Sequence, residues 1–133
     1  MPVDDGTLPE PIGARTASGS VASAISRAIV QLIRDYTGRG PNTVRTTIRN
    51  NVVLVILEDA LTKGERSLVT AGRVKTVIDL RHEFQMAMKE DAIARVSALT
   101  GRTVIAMMST NHVSPDLGAE IFVLDGPVGD GSV

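Results

Sequence analysis

The chain has 133 residues, of which 43% are hydrophobic, 22% are charged and 2% are aromatic, and its formal net charge is −1. This length suits a single domain with a core of its own. The near-zero net charge and the few aromatic side chains argue against binding to nucleic acid, and the absence of cysteine excludes disulfides and thiolate metal sites. We therefore expect no nucleic-acid partner and no direct insertion into a membrane, because no apolar run approaches the roughly 20 residues that span a bilayer.

The N-terminal region predicts a polar tail followed by a helix. Residues 1–17 are rich in proline, glycine and acidic side chains, and we expect them to be a disordered tail. Apolar residues then recur at helical spacing up to Tyr36, so a helix is predicted to start from an N-cap at Ser18 or Ser20. Gly38 and Pro41 are expected to end it.

The next segment changes from helical to alternating periodicity. Residues 42–49 predict a strand with one apolar face and one face of threonine and arginine. Asn50-Asn51 predicts a tight hairpin turn, because asparagine tolerates a positive φ. The continuous apolar run Val52–Leu57 predicts a central strand, or one that is covered on both faces.

The second half predicts two helices and another hairpin. A capping box at Thr62–Glu65 predicts a short helix to about Thr70, and a long helix is expected over residues 73–99. At ~1.5 Å per residue the long helix would span about 40 Å, so we expect it to kink or to pack on another subunit, and we predict a homodimer. Strands are expected at 103–111 and 119–124. The predicted buried stripe of the long helix consists of Val77, Leu80, Phe84, Met88, Ala92, Val96 and Leu99.

One motif occurs twice and divides the chain. Thr37-Gly38-Arg39 and Thr100-Gly101-Arg102 each follow a helical stretch and lead into strand-like sequence. The chain therefore predicts an α+β fold of tandem α-β-β units, with a four-stranded, mainly antiparallel sheet and helices packed on one face. Residues 18–125 would form this single domain, and residues 126–133 a polar C-terminal tail.

Basic residues near the first copy of the motif are the candidate binding site. A loop containing Gly38, Arg39 and Gly40 can present N–H groups and a guanidinium to an anion, although the same residues also serve simply to end a helix. Arg45 and Arg49 on the outward strand face would bind phosphate or an acidic protein surface, or would be a solvated edge. Arg102 of the second copy completes this candidate set.

An enzymatic alternative depends on His112. With Asp116 or Glu120, in a groove at a subunit boundary, this histidine could form an acid–base pair. An exposed loop histidine is the simpler interpretation, because no metal-ligand spacing, nucleophile motif or nucleotide-binding loop accompanies it. We therefore predict no catalytic residue, no metal site and no cofactor.

Several segments carry a resemblance to a known family. They are residues 29–41 (IVQLIRDYTGRGP), the 44–57 hairpin, Leu61-Thr62, Glu65, and residues 100–104. Over roughly residues 20–125 the chain resembles the MpsC-like family, named after component C of a bacterial sodium-translocating, membrane-potential-generating system. The polar tails and the proline-containing turn at residues 114–118 depart from the family pattern.

The resemblance implies a context rather than a chemistry. It implies a non-enzymatic accessory or regulatory protein in the cytoplasm that reaches the membrane only through a partner. Membrane transport-system subunits are the partners it implies, in a process linked to ion balance and inorganic carbon supply. The family supplies no catalytic residues to transfer.

Overall fold

The computed structural model describes the backbone of residues 12–129 and the side chains of residues 19–129. The elements are α1 (Ile12–Thr37), β1 (Thr43–Arg49), β2 (Val52–Glu58), α2 (Lys63–Thr70), α3 (Val74–Thr100), β3 (Val104–His112) and β4 (Leu117–Leu124). The four strands form one sheet in the order β1-β2-β4-β3, and every neighbouring pair is antiparallel. The predicted α+β fold of tandem α-β-β units is confirmed.

The hydrophobic core lies between the sheet and the helices α1 and α3. The two α-β-β units meet through their second strands, β2 and β4, which are the central strands of the sheet. The central position predicted for residues 52–57 is therefore confirmed. Alternate residues of β2 and β4 point into the core, whose buried members are Ile25, Ile29, Leu32, Ile33, Val53, Val55, Leu57, Met88, Ala92, Val96, Phe122 and Leu124.

Local sequence signals set most of the element boundaries. Asn50 adopts a φ of 57° in the β1–β2 turn, as predicted. The Thr62 hydroxyl accepts a hydrogen bond from the Glu65 N–H (3.1 Å), and the Glu65 carboxylate accepts one from the Thr62 N–H (2.7 Å), so the capping box is confirmed. Gly72, with a φ of 80°, separates α2 from α3.

The first helix starts earlier than predicted. An N-cap at Ser18 or Ser20 is wrong, because α1 already begins at Ile12. The remainder of the predicted N-terminal tail, residues 1–11, lies outside the described residues.

The C-terminal tail predicted from residue 126 is partly packed onto the fold. Val128 lies against the hydrophobic core, and its N–H donates to the Asn50 carbonyl over 3.3 Å. The β1–β2 turn therefore holds the segment that leaves β4. Residues 130–133 lie outside the described part of the chain.

The buried face of α3 is rotated relative to the predicted stripe. Leu80 and Leu99 are 37% and 38% exposed, so their predicted burial is wrong. Arg81 and Gln85 turn towards the sheet instead, because both find polar partners on β3. α3 is one continuous helix of 27 residues, and α1, with 26 residues, packs beside it.

We predict that two methionines of α3 contribute very differently to stability. Met88 is 7% exposed and Met86 is 56% exposed. Met88→Ala should lower the free energy of unfolding by about 2–5 kcal/mol, because it leaves a cavity in the core. Met86→Ala should change it by less than about 0.5 kcal/mol. Urea denaturation of both variants checks this, and equal losses would contradict the burial of Met88 and the exposure of Met86.

Candidate functional site

The repeated motif forms the same cap at the end of α1 and of α3. The hydroxyls of Thr37 and Thr100 each donate to the carbonyl four residues earlier, both over 2.8 Å. The N–H groups of Gly38 and Gly101 do the same over 2.9 Å, with φ values of 84° and 68°. The motif thus ends each helix with a glycine in the left-handed conformation, which a side chain would oppose.

The arginine of each copy ties its helix end to the exit of the second strand in its unit. Arg39 Nη1 donates to the carbonyls of Asp59 (2.7 Å) and Leu61 (2.9 Å), just beyond β2. Arg102 Nε donates to the carbonyl of Pro127 over 2.8 Å, just beyond β4. Both guanidinium groups therefore donate to backbone carbonyls of the chain itself, Arg39 at a partly buried position and Arg102 at an exposed one.

The charge of Arg39 is already matched by a carboxylate. Arg39 Nη2 lies 3.4 Å from Asp59 Oδ2, and the Asp59 carboxylate also bonds Asn42 and Arg66. Gly40 lies so close to α1 that an added Cβ would stand 3.2 Å from Val30 Cγ1. Close packing and a compensated charge thus account for the residues of the predicted Gly38-Arg39-Gly40 loop.

Arg45 and Arg49 point away from the helices, on the outer face of the edge strand β1. The Arg45 side chain is 65% exposed and its nearest carboxylate oxygen, on Glu58, lies 3.9 Å away. Arg49 is exposed at the other end of β1, and the ion pairs of the described residues do not include it. These two guanidinium groups remain accessible to a partner.

A groove between α1 and β1 adds two arginines that the sequence analysis did not select. It has a volume of about 330 Å³ and is lined by Ser26, Arg27, Val30, Gln31, Arg34 and Val44. A hydrogen bond of 2.7 Å between Ser26 Oγ and Thr46 Oγ1 fastens α1 to β1 beside it. The free edge of β1 is therefore flanked by Arg27 and Arg34 on the helix side and by Arg45 and Arg49 on the outer side.

The residues of the enzymatic alternative do not come together. His112 Nδ1 lies 2.8 Å from the Pro115 carbonyl, and Asp116 Oδ2 accepts the Leu61 N–H over 2.8 Å. Glu120 is buried on the helix-covered face of β4, whereas His112 is exposed at the end of β3. The predicted acid–base pair of His112 with Asp116 or Glu120 is thus not assembled in this chain.

Glu120 instead belongs to a buried polar cluster that the sequence analysis missed. Gln85 Nε2 donates to Glu120 over 3.3 Å, Ser109 donates its hydroxyl to the same carboxylate, and Gln85 and Asn111 bond each other. Burial raises the pKa of Glu120 to about 7, an effect that these bonds and the charge of Arg81 reduce. The adjoining cavity measures about 20 Å³, which is room for about one water and not for a substrate.

Two further properties concern the described residues only. Between residues 12 and 129 no helix combines the length and the apolar character that a membrane span requires. The same residues contain no group of three His, Asp or Glu side chains arranged to hold a metal ion.

The fold and the site define a two-unit α+β protein with a basic edge strand. The sequence profile of the family described as the Na⁺-translocating membrane potential-generating system (MpsC) matches residues 17–126, and the chain belongs to this family. It is also similar to the uncharacterized protein YbcI of Bacillus subtilis (strain 168), with 39% identity over 51 residues. That match covers 38% of this chain and 41% of the relative, and no solved structure matches the chain.

We predict that Arg39 is needed for stability. Arg39→Ala should lower the free energy of unfolding by about 1–2 kcal/mol, because it leaves the carbonyls of Asp59 and Leu61 without their donor. Arg27→Ala, at an exposed position on α1, is the control and should change it by less than about 0.5 kcal/mol. Chemical denaturation measures both. An Arg39→Ala chain as stable as the control would contradict a stabilising role for the hydrogen bonds of Arg39 to these carbonyls.

We predict that Glu120 makes the protein less stable as the pH rises. Its native pKa of about 7 lies above the ordinary value of 4.5, so the native state binds more protons than the unfolded state between these two values. The free energy of unfolding should therefore fall from about pH 4.5 to about pH 7, by up to about 3 kcal/mol at ~1.4 kcal/mol per pKa unit. Glu120→Gln should flatten this slope, and its free energy of unfolding should be higher than that of the wild type at pH 8.

The pH series can be measured as urea midpoints from pH 5 to pH 8. Glu58→Gln is the matched control, because Glu58 is partly exposed on the opposite face of the sheet and should leave the slope in place. A Glu120→Gln chain that keeps the wild-type slope would contradict a titrating Glu120.

Proposed function

We propose that this chain is a non-enzymatic accessory or regulatory component of the sodium-translocating system for which its family is named. It acts by binding an acidic, extended segment of a partner protein along β1. Membership of the family supports the context. The observation that carries the binding mode is the free edge of β1 with two arginines on each of its sides.

An unpaired strand edge and flanking charges together favour an extended partner. β1 pairs only with β2 among the described strands, so its other edge can accept a further strand through main-chain hydrogen bonds. Successive side chains of an added strand point to opposite faces. Acidic residues on such a strand would meet Arg45 and Arg49 on one face, and Arg27 and Arg34 on the other.

The spacing of the arginines fits a peptide better than a single small anion. Arg27 and Arg34 are seven residues apart on α1, which is about 10 Å along the helix axis. Arg45 and Arg49 are four residues apart on β1, which is about 13 Å. One phosphate or carbonate is too small to meet either pair in full, whereas an extended segment with acidic residues four positions apart, and therefore on the same face, can do so.

The family context supports a partner that belongs to a membrane system. We infer that the partner is a subunit of the transport system and that the chain works in the cytoplasm, at the membrane surface only through this contact. Because surface ion pairs are screened by salt, the contact should weaken as the ionic strength rises.

The test is a tagged pull-down from detergent-solubilised membranes of the native cells, with the recovered proteins identified by mass spectrometry. The double variant Arg27→Glu/Arg45→Glu should recover transport-system subunits at least about tenfold less well than the wild type, since each charge-assisted contact is worth about 1.5–3 kcal/mol. The double variant Lys63→Glu/Lys89→Glu makes the same change of charge at exposed positions of α2 and α3, and should recover them normally.

Three results would count against the proposal. Equal recovery by both double variants would remove β1 as the binding edge. Recovery of no membrane subunit by the wild type would remove the accessory role. Binding of inorganic phosphate or bicarbonate to the purified chain by calorimetry, lost in Arg27→Glu/Arg45→Glu, would replace the peptide by a small anion.

A further inference from the structure

The outer face of the sheet, which the helices do not cover, is apolar at its centre. On β2 and β4 the residues that alternate with the buried core residues are only partly exposed. On β3, Ile105 and Met108 are 63% and 51% exposed. We define the outer apolar face by the outward side chains of the paired residues, with Ile105 exposed in the β-bulge beside them. These outward side chains are Val52, Leu54, Ile56, Ala119, Ile121, Val123 and Met108.

The strand register makes this face continuous. Leu54 pairs with Ile121, and Ile121 pairs with Met108, so one apolar row crosses three strands. An antiparallel sheet that faces water normally carries polar side chains on that face. Here the outward polar side chains stand on the two edge strands, on β1 and at Thr110 of β3, and at the end of the sheet that holds Glu58 and His112.

The area of the face suits an interface. The outer side of the four strands, ~4.8 Å apart and seven residues long at ~3.3 Å per residue, covers about 19 Å by 23 Å. Two such sides in contact remove about 900 Å² of flat area, close to the ~1,000 Å² that marks a specific interface. The outer apolar face on β2, β4 and β3 supplies about three quarters of it, about 330 Å² per copy, and an exposed patch of this size often marks an interaction site.

We propose that the outer apolar face packs against the same face of a second copy of this chain, so that two sheets form a sandwich. Face-to-face packing of two antiparallel sheets, about 10 Å apart, is an established arrangement of this kind of layer. The sandwich covers the outer side of β1 and engages Arg49, whereas the main-chain edge of β1 and the α1 arginines Arg27 and Arg34 lie outside it and stay accessible to the partner segment.

The charges at the margins select the orientation of the second copy. Arg49 stands opposite Val52 at one end of the β1–β2 pair, and Glu58 stands opposite Thr43 at the other end. We place the twofold axis between the two sheets, parallel to them and perpendicular to the strands. This axis puts the Arg49 end of one copy over the Glu58 end of the other copy. Arg49 of one copy then meets Glu58 of the other, twice per dimer, whereas a parallel arrangement sets Arg49 against uncharged residues.

The first experiment measures the mass of the purified full chain by light scattering across a concentration series. The wild type should be a dimer at about 100 μM, and Ile121→Glu should weaken the dimer at least about 100-fold by placing a carboxylate in the centre of the apolar face. Leu80→Glu introduces the same charge at an exposed apolar residue of α3 and should leave the dimer unchanged. Circular dichroism of both variants confirms that the fold is retained.

The second experiment tests the orientation by exchanging charges. Arg49→Glu and Glu58→Arg should each weaken the dimer about 3- to 10-fold, and the double variant should regain most of the wild-type affinity. A wild-type monomer at about 100 μM, or a dimer that tolerates Ile121→Glu, would overturn the sandwich, and a double variant as weak as the single ones would overturn its orientation.

The two proposals fail separately. Arg27→Glu/Arg34→Glu changes only residues of α1 that lie outside the sandwich, so it should lose membrane partners and remain a dimer by light scattering. Ile121→Glu should become monomeric while it keeps the β1 edge. A loss of membrane partners without a loss of the dimer, or the reverse, therefore identifies which surface is responsible.

Discussion

The hydrogen bonds from the two motif arginines to backbone carbonyls are the constraint on which the rest of this structure depends. Each of the helices α1 and α3 ends at a glycine, and the arginine that follows bonds a segment just beyond the second strand of the same unit. One short motif therefore ends the helix and fixes the distance between the helix end and the hairpin below it. Because both units use it, both helices are held on the same side of the sheet, and the opposite side is left uncovered.

The two faces of the sheet then have different consequences. On the covered face, β2 and β4 contribute aliphatic core residues, but Glu120 also points inward and needs Gln85 and Ser109 as partners. On the uncovered face the same strands are apolar without helices above them. A strand that is apolar on both faces is typical of a sheet that is covered on both faces. The second copy that we propose would cover the outer face.

Local signals in the sequence were sufficient to predict most elements. The hairpin at Asn50, the capping box at Thr62 and the helix ends at Gly38 and Gly101 each depend on neighbouring residues only, and each prediction is confirmed. The rotation of α3 could not be predicted in this way. Periodicity alone selected Leu80 and Leu99 for burial, whereas the actual orientation is set by Asn111, which lies 26 residues beyond Gln85 in the chain and bonds it.

The candidate site shows the same division between local and distant information. Sequence patterns selected Arg39, Arg45 and Arg49 as candidate binding residues. Only the fold shows that Arg39 donates hydrogen bonds to backbone carbonyls of the chain, whereas Arg45 is exposed. Arg39 braces two carbonyls, so a binding defect in an Arg39 variant would also follow from a displaced loop after β2. Arg27 and Arg45 are exposed and make no such internal hydrogen bond among the described residues. Substitutions at these two positions therefore separate recognition of a partner from maintenance of the fold, which substitutions at Arg39 cannot do.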